Sequence, residues 1–346
     1  MIKDSGVQGG FFDADFRLEE ISAQGDPLEK LDQHVDWEIF RVELKRTFRP
    51  DEKDASKGGR PPYDYVMMFK ILILQHLYGI ADERTEFAIK DRLSFMRFLG
   101  LKLVDKVPDE KTIWLFRERL SQLGSVRKMF RLFERRLEKS GLVARKGSIV
   151  DASFVEVPRQ RNTRDENDDI RNGKTPEEWK EDPAKLSQKD VDARWAKKNG
   201  ERHFGYKNHV KVDRKSKLIT DYETSDASVH DSQMLDKLVK KKDSHHELYA
   251  DSAYQSEDSR KMLKRKNIRN RIHERAYRSH PLTDKQMEKN RLKSKIRARV
   301  EHVFGFVTNT MGGFFIRCIG RTRADTMIGL KNLTYNLSRS VQLCRA

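Results

Sequence analysis

The chain has little that would fix its structure covalently or place it in a membrane. Only Cys318 and Cys344 occur in 346 residues, far apart and without metal-ligand spacing. That excludes a zinc cluster and a disulfide framework. The apolar run 66–80 is interrupted by Lys70, Gln75 and His76 and is too short to cross a bilayer. A secretory signal is also lacking: Asp4 and the acidic run after Phe12 stand where its apolar core would be. A cytoplasmic protein, with no membrane as partner, is the expectation. Acids are the minority charge, 54 Asp and Glu against 71 Lys and Arg, for a net charge of +17. With a pI near 9.7, the chain calls for a polyanionic partner, most simply nucleic acid. A hydrophobic fraction of 36% and a charged fraction of 36% describe a soluble protein with much solvated surface. The length allows a large core and two domains.

The charge is uneven. Residues 255–300 hold sixteen Lys or Arg and five acids, a net +11, whereas 1–54 hold eight bases and fourteen acids, a net −6. The basic window is therefore the expected binding surface. Three segments follow in order: an acidic one (1–56), a helical domain (57–146) and an α/β domain (147–346). In the first, Trp37, Ile39, Phe40 and Val42 have the spacing of one short helix. Residues 57–62, KGGRPP, read as a basic linker or arm. Helices are expected over 63–78, over 81–99 with Gly100 as terminator, from Pro108 onward, and over 125–140 up to Gly141. The third helix opens on Lys111 and Thr112. A helix-turn-helix module that presents them to DNA and an ordinary bundle that serves as a dimer interface both fit.

At Gly147 the periodicity changes. Ser148, Ile149 and Val150 form a short strand ending on Asp151. Residues 159–199 are polar, with Trp179 and Trp195 as their only aromatics, and suit an insertion. Those two rings either anchor the insertion or stack on an unpaired base. A strand from Phe204 to Val212, a turn at Asp213–Ser216 and a returning strand over 218–224 come next. A helix over 226–240, a strand over 247–250 ending on Asp251, a basic helix over 256–266 and a last strand over 267–272 complete the pattern. The run 296–311 then places Ile296, Val300, Val303, Phe304, Val307 and Met311 on one helical face, with Arg297 and Glu301 stacked four residues apart beside it.

Singly, either aspartate is as readily a turn former, and Arg297 with Glu301 as readily a surface ion pair. Together they converge. Carboxylates at neighbouring strand ends of an open α/β sheet meet where such sheets place ligands. Three hard oxygen donors suit Mg²⁺ or Mn²⁺ and not zinc. Two such ions about 4 Å apart activate a water or 3′-hydroxyl for in-line attack on a phosphodiester. Lys264, Arg265, Lys266, Arg269 and Arg271 are candidate contacts to backbone phosphates, and Arg297 a phosphate clamp or the partner that orients Glu301. His302 and the pair His230 and Asp231 read as supporting residues.

The stretches SIVDASFVE around Asp151, HFGYKNHVKVD at 203–213, VHDSQM at 229–234, LYADSAYQS around Asp251 and RARVEHVFG around Glu301 resemble the DDE transposases of bacterial insertion sequences, of the insertion-sequence-five type. GGRPPYDYVMMFKILILQHLYGI resembles that family's helical N-terminal domain. The resemblance implies an α/β fold with a ribonuclease H-like mixed sheet and flanking helices behind an all-α domain. It implies Asp151, Asp251 and Glu301 as metal-binding catalytic acids, with cleavage at the ends of a mobile element and strand transfer by a 3′-hydroxyl. In the related pattern Y-x-x-R-x-x-x-E followed by K, Arg297 and Glu301 fit, while Ser294 and Thr308 stand at the tyrosine and lysine positions. Double-stranded DNA, both element ends and target, is the implied partner, and paired cutting implies a homodimer or larger. A two-metal nuclease without strand transfer, and a non-catalytic DNA-binding derivative, are the alternatives.

Overall fold

The computed structural model describes residues 12–48, 61–198, 200–277 and 280–344. The chain divides into two compact units, one formed by Met1–Gln75 with Ile80–Arg117 and the other by His76–Gly79 with Glu118–Ala346.

The first unit is helical: α1 (Asp13–Ala23), α2 (Pro27–His34), a 3-10 turn Trp37–Phe40, α3 (Arg41–Phe48), α4 (Tyr65–Tyr78), α5 (Asp82–Asp91), α6 (Leu93–Leu99) and the start of α7 (Glu110–Gln122). The acidic segment thus holds more helix than its aromatic spacing announced. Helix α2 starts because the Asp26 side chain accepts the Leu28 N–H at 2.8 Å and Pro27 occupies the first position. The same carboxylate takes Arg97 Nη2 at 2.6 Å, which ties α6 to that start. The helix expected over 81–99 is two helices, because Arg92 adopts an extended backbone between them. Gly100, at φ +70°, closes the second as expected. Leu28, Leu31, Phe40, Leu44, Phe69, Leu72, Phe95 and Phe98 fill the core. Of the expected arm, residues 57–60 lie outside the described residues, and Pro61 and Pro62 are exposed.

The second unit is built on a six-stranded mixed sheet among the described residues. Its strands are β1 (Ser148–Glu156), β2 (Arg194–Lys198), β3 (Glu201–Asp213), β4 (Ile219–Asp226), β5 (Glu247–Tyr249) and β6 (Arg269–Asn270). Strand β3 pairs antiparallel with β1, β2 and β4, and on its other side β1 pairs parallel with β5, which pairs parallel with β6. An antiparallel meander followed by parallel strands is the ribonuclease H-like arrangement expected. Strand β1 does not stop at Asp151 but runs on to Glu156, because β3 continues to pair with it as far as Gly205. Gly205 is required there: a Cβ would lie 2.3 Å from the Val155 carbonyl oxygen.

Alternation along the strands divides the sheet's faces. Val150 and Leu248 join Leu235, Leu238, Met262, Leu263 and Ile268 in one cluster. Asp151, Val210 and Tyr222 are successive cross-strand partners and point to the opposite face. There Tyr222 meets Phe130 of α8 (Ser125–Lys139) edge-on, ring centroids 4.9 Å apart. Helix α16 (Arg321–Leu343) lies on the same face, and its Asn332 exchanges buried amide hydrogen bonds with Asn208 of β3 at 2.8 and 3.0 Å.

Within the insertion stand α9 (Arg164–Arg171), α10 (Glu177–Glu181), α11 (Pro183–Ser187) and β2. Trp179 is buried inside it, donating from Nε1 to Glu166 Oε1 at 2.6 Å, a contact between two residues of the insertion. The insertion is tied to β3 by Asp190, whose two oxygens accept the Tyr206 hydroxyl at 2.8 Å. The helix expected over 226–240 shrinks to a 3-10 turn and α12 (Leu235–Leu238), and the last strand to two residues before it departs. Basic helix α13 (Glu257–Arg265) forms as expected, and α14 (Asp284–Arg297), a 3-10 turn Ala298–Val300 and α15 (Glu301–Thr310) follow. Among the described residues no helix is long and apolar enough to cross a membrane.

Candidate active site

Strands β1 and β5 run parallel with Ser148 opposite Leu248 and Ile149 opposite Tyr249. The same register carries Asp151 and Asp251 to one level and, by alternation, to one face. Asp151 lies within β1 and is buried. Asp251 stands two residues past Tyr249, the last of β5, where its Oδ1 accepts the Ala253 N–H at 2.9 Å and starts the 3-10 turn Ser252–Tyr254. The chain turns there, and this is why a strand-end aspartate stands beside a mid-strand one.

The third acid arrives on the same face from the helices. The expected apolar stripe forms, with Val300, Val303, Val307 and Met311 buried, but the run is not one helix: α14 ends at Arg297 and α15 begins at Glu301. At that junction Arg297 Nη1 donates to Asp151 Oδ2 at 2.6 Å and stands 3.9 Å from Glu301 Oε1. One guanidinium nitrogen therefore reaches both carboxylates, and Arg297 addresses Asp151 more closely than its helical neighbour. Its Nε is buried with no hydrogen-bond partner.

Burial pushes the Asp151 carboxyl up to about 6, and the charge of Asp251 adds to this, while the Ala152 N–H, Arg297 and Lys198 pull the other way. Two aspartates that feel each other, one buried, are a donor set that a cation would relieve. All three acids offer oxygen only, so the set fits a hard divalent ion. Among the described residues, however, no three Asp, Glu, His or Cys side chains are already gathered into a metal-holding group. Arg297 stands between Asp151 and Glu301 and supplies the positive charge there, and the Glu301 side chain remains 60% exposed.

Tyr254 and His273 were not singled out by sequence reasoning. Tyr254 is fully buried three residues after Asp251, and burial, with the charges of Asp231, Asp151 and Asp251, holds its hydroxyl well above the usual range. It therefore stays neutral beside the acids. His273 is pulled down by burial and by Arg297, and its Nε2 lies 3.4 Å from the Ser294 hydroxyl, the residue at the tyrosine position of the motif. Only the proximity of Tyr254 to Asp251 in the chain could have pointed to it.

The other candidates are more dispersed. Lys264, Arg265 and Arg269 stand exposed. Lys266 is committed within the fold, donating to Asp236 Oδ1 and the Val239 carbonyl, each at 2.7 Å, and Arg271 binds Glu247 at 3.0 Å. Lys111 is exposed in the first turn of α7, and the Thr112 N–H is capped by Asp109 at 2.7 Å. Asp231 holds Lys207 Nζ at 2.8 Å, and His302 turns to the Tyr335 hydroxyl at 3.5 Å. Thr308 is exposed near the end of α15.

Comparison with known proteins adds two family matches. Residues 16–119 match the family described as Transposase domain (DUF772), and residues 144–337 match the family described as Transposase DDE domain. Among solved structures, the chain is similar to a piggyBac transposase synaptic complex with hairpin DNA, at 13% identity over 91% of this chain and 75% of that one, TM-score 0.46. It is similar also to a pre-cleavage Mos1 transpososome, at 12% identity over 99% and 90%, TM-score 0.20. Both likenesses are distant, and the strand order above stands on the chain's own pairing.

Proposed function

Because the chain belongs to the Transposase DDE domain family, by its match over residues 144–337, we propose that Asp151, Asp251 and Glu301 are its metal-binding catalytic acids. The function that membership carries is DNA transposition, the cutting of DNA and transfer of its strands, and such enzymes generally use divalent metal ions. The observation that supports this assignment of residues is the single guanidinium of Arg297, in contact with Asp151 and 3.9 Å from Glu301, with Asp251 one strand away at the same level.

The ions are Mg²⁺, with Mn²⁺ as substitute, and two of them. Bound there, they supply activation of the attacking oxygen and stabilisation of the leaving one in an in-line displacement. The protein's own part is positional. Strands β1 and β5 fix the two aspartates against the sheet, while exposed Glu301, at the start of α15, is free to turn toward them. Arg297 keeps buried Asp151 compensated and, once the carboxylate is otherwise satisfied, can present its nitrogens to a phosphate oxygen. Tyr254 excludes water behind the acids. Exposed Lys264, Arg265 and Arg269 hold the duplex backbone, with Lys266 and Arg271 rigidifying the same surface.

The substrate is double-stranded DNA at the ends of an insertion sequence of the insertion-sequence-five type, joined into target DNA through a 3′-hydroxyl. The enzyme works in the cytoplasm as a homodimer or larger. The 57–146 segment contributes either a DNA-binding surface carrying Lys111 and Thr112 or the dimer contact. The test is Asp151→Asn, incubated with Mg²⁺ and DNA carrying the element's terminal repeats. Binding by gel shift stays within about two-fold, since one buried acid adds nothing to phosphate attraction, and cleavage and joined products disappear. Full cutting by Asp151→Asn would remove Asp151 from the site.

A further inference from the structure

We propose that the insertion carries a second DNA site, a groove that takes an unpaired stretch of a strand, with one base stacked on Trp195 and the backbone held by Arg164, Lys197 and Arg202. The groove, of about 550 Å³, lies between α9 and the β2–β3 hairpin, within the roughly 300–1,000 Å³ of sites that enclose small ligands. The hairpin's register builds its wall. Trp195 is opposite Phe204 and Lys197 opposite Arg202, and residues two apart share a face, so all four side chains project to one side. Phe204 is buried and backs the Trp195 ring, centroids 5.1 Å apart, yet Trp195 stays 42% exposed.

Among the described residues, Arg164, Lys197 and Arg202 have no carboxylate at ion-pair distance. Two cations placed directly opposite each other across a strand pair weaken the sheet, and Lys197 and Arg202 are so placed. Nearby carboxylates have other partners: Asp168 pairs at 3.1 Å with Arg171, both in the groove wall, Glu166 takes Trp179 and Lys185, and Glu201 faces His203 at 4.0 Å. Arg159 adds a guanidinium 5.8 Å from the Trp195 ring centre. An exposed indole among cations is what a single strand needs, since every base has a face to stack and every nucleotide a phosphate. A duplex hides its base faces and cannot use the indole.

Position favours the same occupant. Trp195 pairs with Phe204, and Phe204 alternates in step with Val210, the cross-strand partner of Asp151, so the indole and Asp151 lie on one face of the sheet. A strand laid along that face passes from Trp195 toward the acids. This assignment rests on the reading of the chain as a DNA-cutting enzyme, and not on which acids do the cutting.

The experiment measures fluorescence anisotropy of the full-length protein, in chelator, with a labelled oligothymidylate of about 16 nucleotides and with a labelled duplex. Trp195→Ala weakens the oligothymidylate about ten-fold, the size of one base stack, and leaves the duplex unchanged. Trp195→Phe, which keeps a ring over Phe204, recovers most of the loss and shows that the hairpin still folds. Replacing Lys197 and Arg202 by Ala lowers the slope of log affinity against log salt by about 1.4 for the single strand. Equal oligothymidylate affinity in Trp195→Ala, equal losses for both DNAs, or displacement by polyglutamate as effective as by oligothymidylate would each overturn the proposal. Wild-type protein that binds the duplex and not the single strand overturns the groove alone, whereas protein that binds neither overturns the DNA reading as well.

Discussion

Arg297 is the side chain whose removal best tests the geometry of the acidic site. Arg297→Met keeps the aliphatic stem and deletes the charge that stands 2.6 Å from Asp151. Breaking a buried ion pair from one side costs roughly 3–5 kcal/mol, because the other charge is left uncompensated. The Asp151 side chain is 11% exposed and that of Arg297 27%, so solvent screens part of the loss and the low end, about 3 kcal/mol, is expected. In a unit of this size that lowers Tm by about 6–12 °C. The loss depends on pH in a definite direction. With Arg297 present Asp151 has its folded pKa raised to about 6, and loss of the guanidinium, which pulls it down, raises it further; well above that value the stranded group is an anion and the full cost appears, whereas near pH 5 it is protonated and the cost shrinks. Mg²⁺ replaces the missing charge and narrows the gap at pH 8. Asp151→Asn with Arg297→Met is the control, since an amide needs no cation. The double variant regains about 2 kcal/mol over the sum of the single losses. Urea and thermal melts of the four proteins at pH 5 and 8, with chelator and with Mg²⁺, give every term. Additive losses, or an unchanged melt for Arg297→Met at pH 8, would refute the contact.

Two further outcomes concern the frame. Burial, and then the hydrogen bond to Glu138, push Glu134 up to about 7 from an ordinary 4.5; a raised carboxyl supplies stability that is full below about 4.5 and lost as pH rises to about 7. Glu134→Gln removes that loss, so its urea midpoint gains on the wild type across this window, and a constant difference would show that Glu134 is ionised throughout. Gly329 of α16 has no room for a methyl, since a Cβ would meet the Tyr222 hydroxyl at 2.4 Å and Val126 Cγ1 at 2.9 Å. Gly329→Ala therefore costs about 1–3 kcal/mol in melts, against the gain of up to about 1 kcal/mol that alanine brings to an open helix, and net stabilisation would mean that α8, α16 and β4 are not packed so closely.

What the sequence disclosed and what it withheld divide along physical lines. Local signals held: Gly100 and Gly141 follow helix ends as left-handed residues, and of the expected stripe Val300, Val303, Val307 and Met311 are buried while Ile296 and Phe304 are half-buried, since each depends on neighbours within a turn or two. The alternation of Phe204, Tyr206, Val210 and Val212 marked β3 for the same reason. Lengths set by distant partners did not show. Strand β1 outlasts Asp151 because β3 pairs with it to Gly205, and 226–240 coils because its apolar residues, Leu235 and Leu238, fill one small cluster rather than a long stripe. Arg297 showed its nearest neighbour in sequence, Glu301, and hid Asp151, 146 residues away. For Trp179 and Trp195 the chain offered the same two uses, and only the fold tells the rings apart, at 0% exposure against 42%.

The sheet also explains why two of the acids come from strands and the third from a helix. Strand β1 is the junction of the two pairing modes, antiparallel to β3 and parallel to β5. Only across a parallel pair do strand ends of like direction lie side by side, so only β1 and β5 bring two carboxylates to one level. Beyond β5 the sheet has β6, two residues long with both exposed, which is too short to deliver a buried side chain to that edge. A third oxygen donor must then cross the face from outside the sheet. The junction of α14 and α15 is where Glu301 stands: the 3-10 turn buries Val300, and Arg297 before it reaches Asp151 at 2.6 Å and stands 3.9 Å from Glu301 after it. Arg297 and Glu301 keep the i to i+4 spacing of a helix across this turn, so the guanidinium that compensates Asp151 also lies beside the acid proposed as the third donor, as an exchange of guanidinium for cation requires.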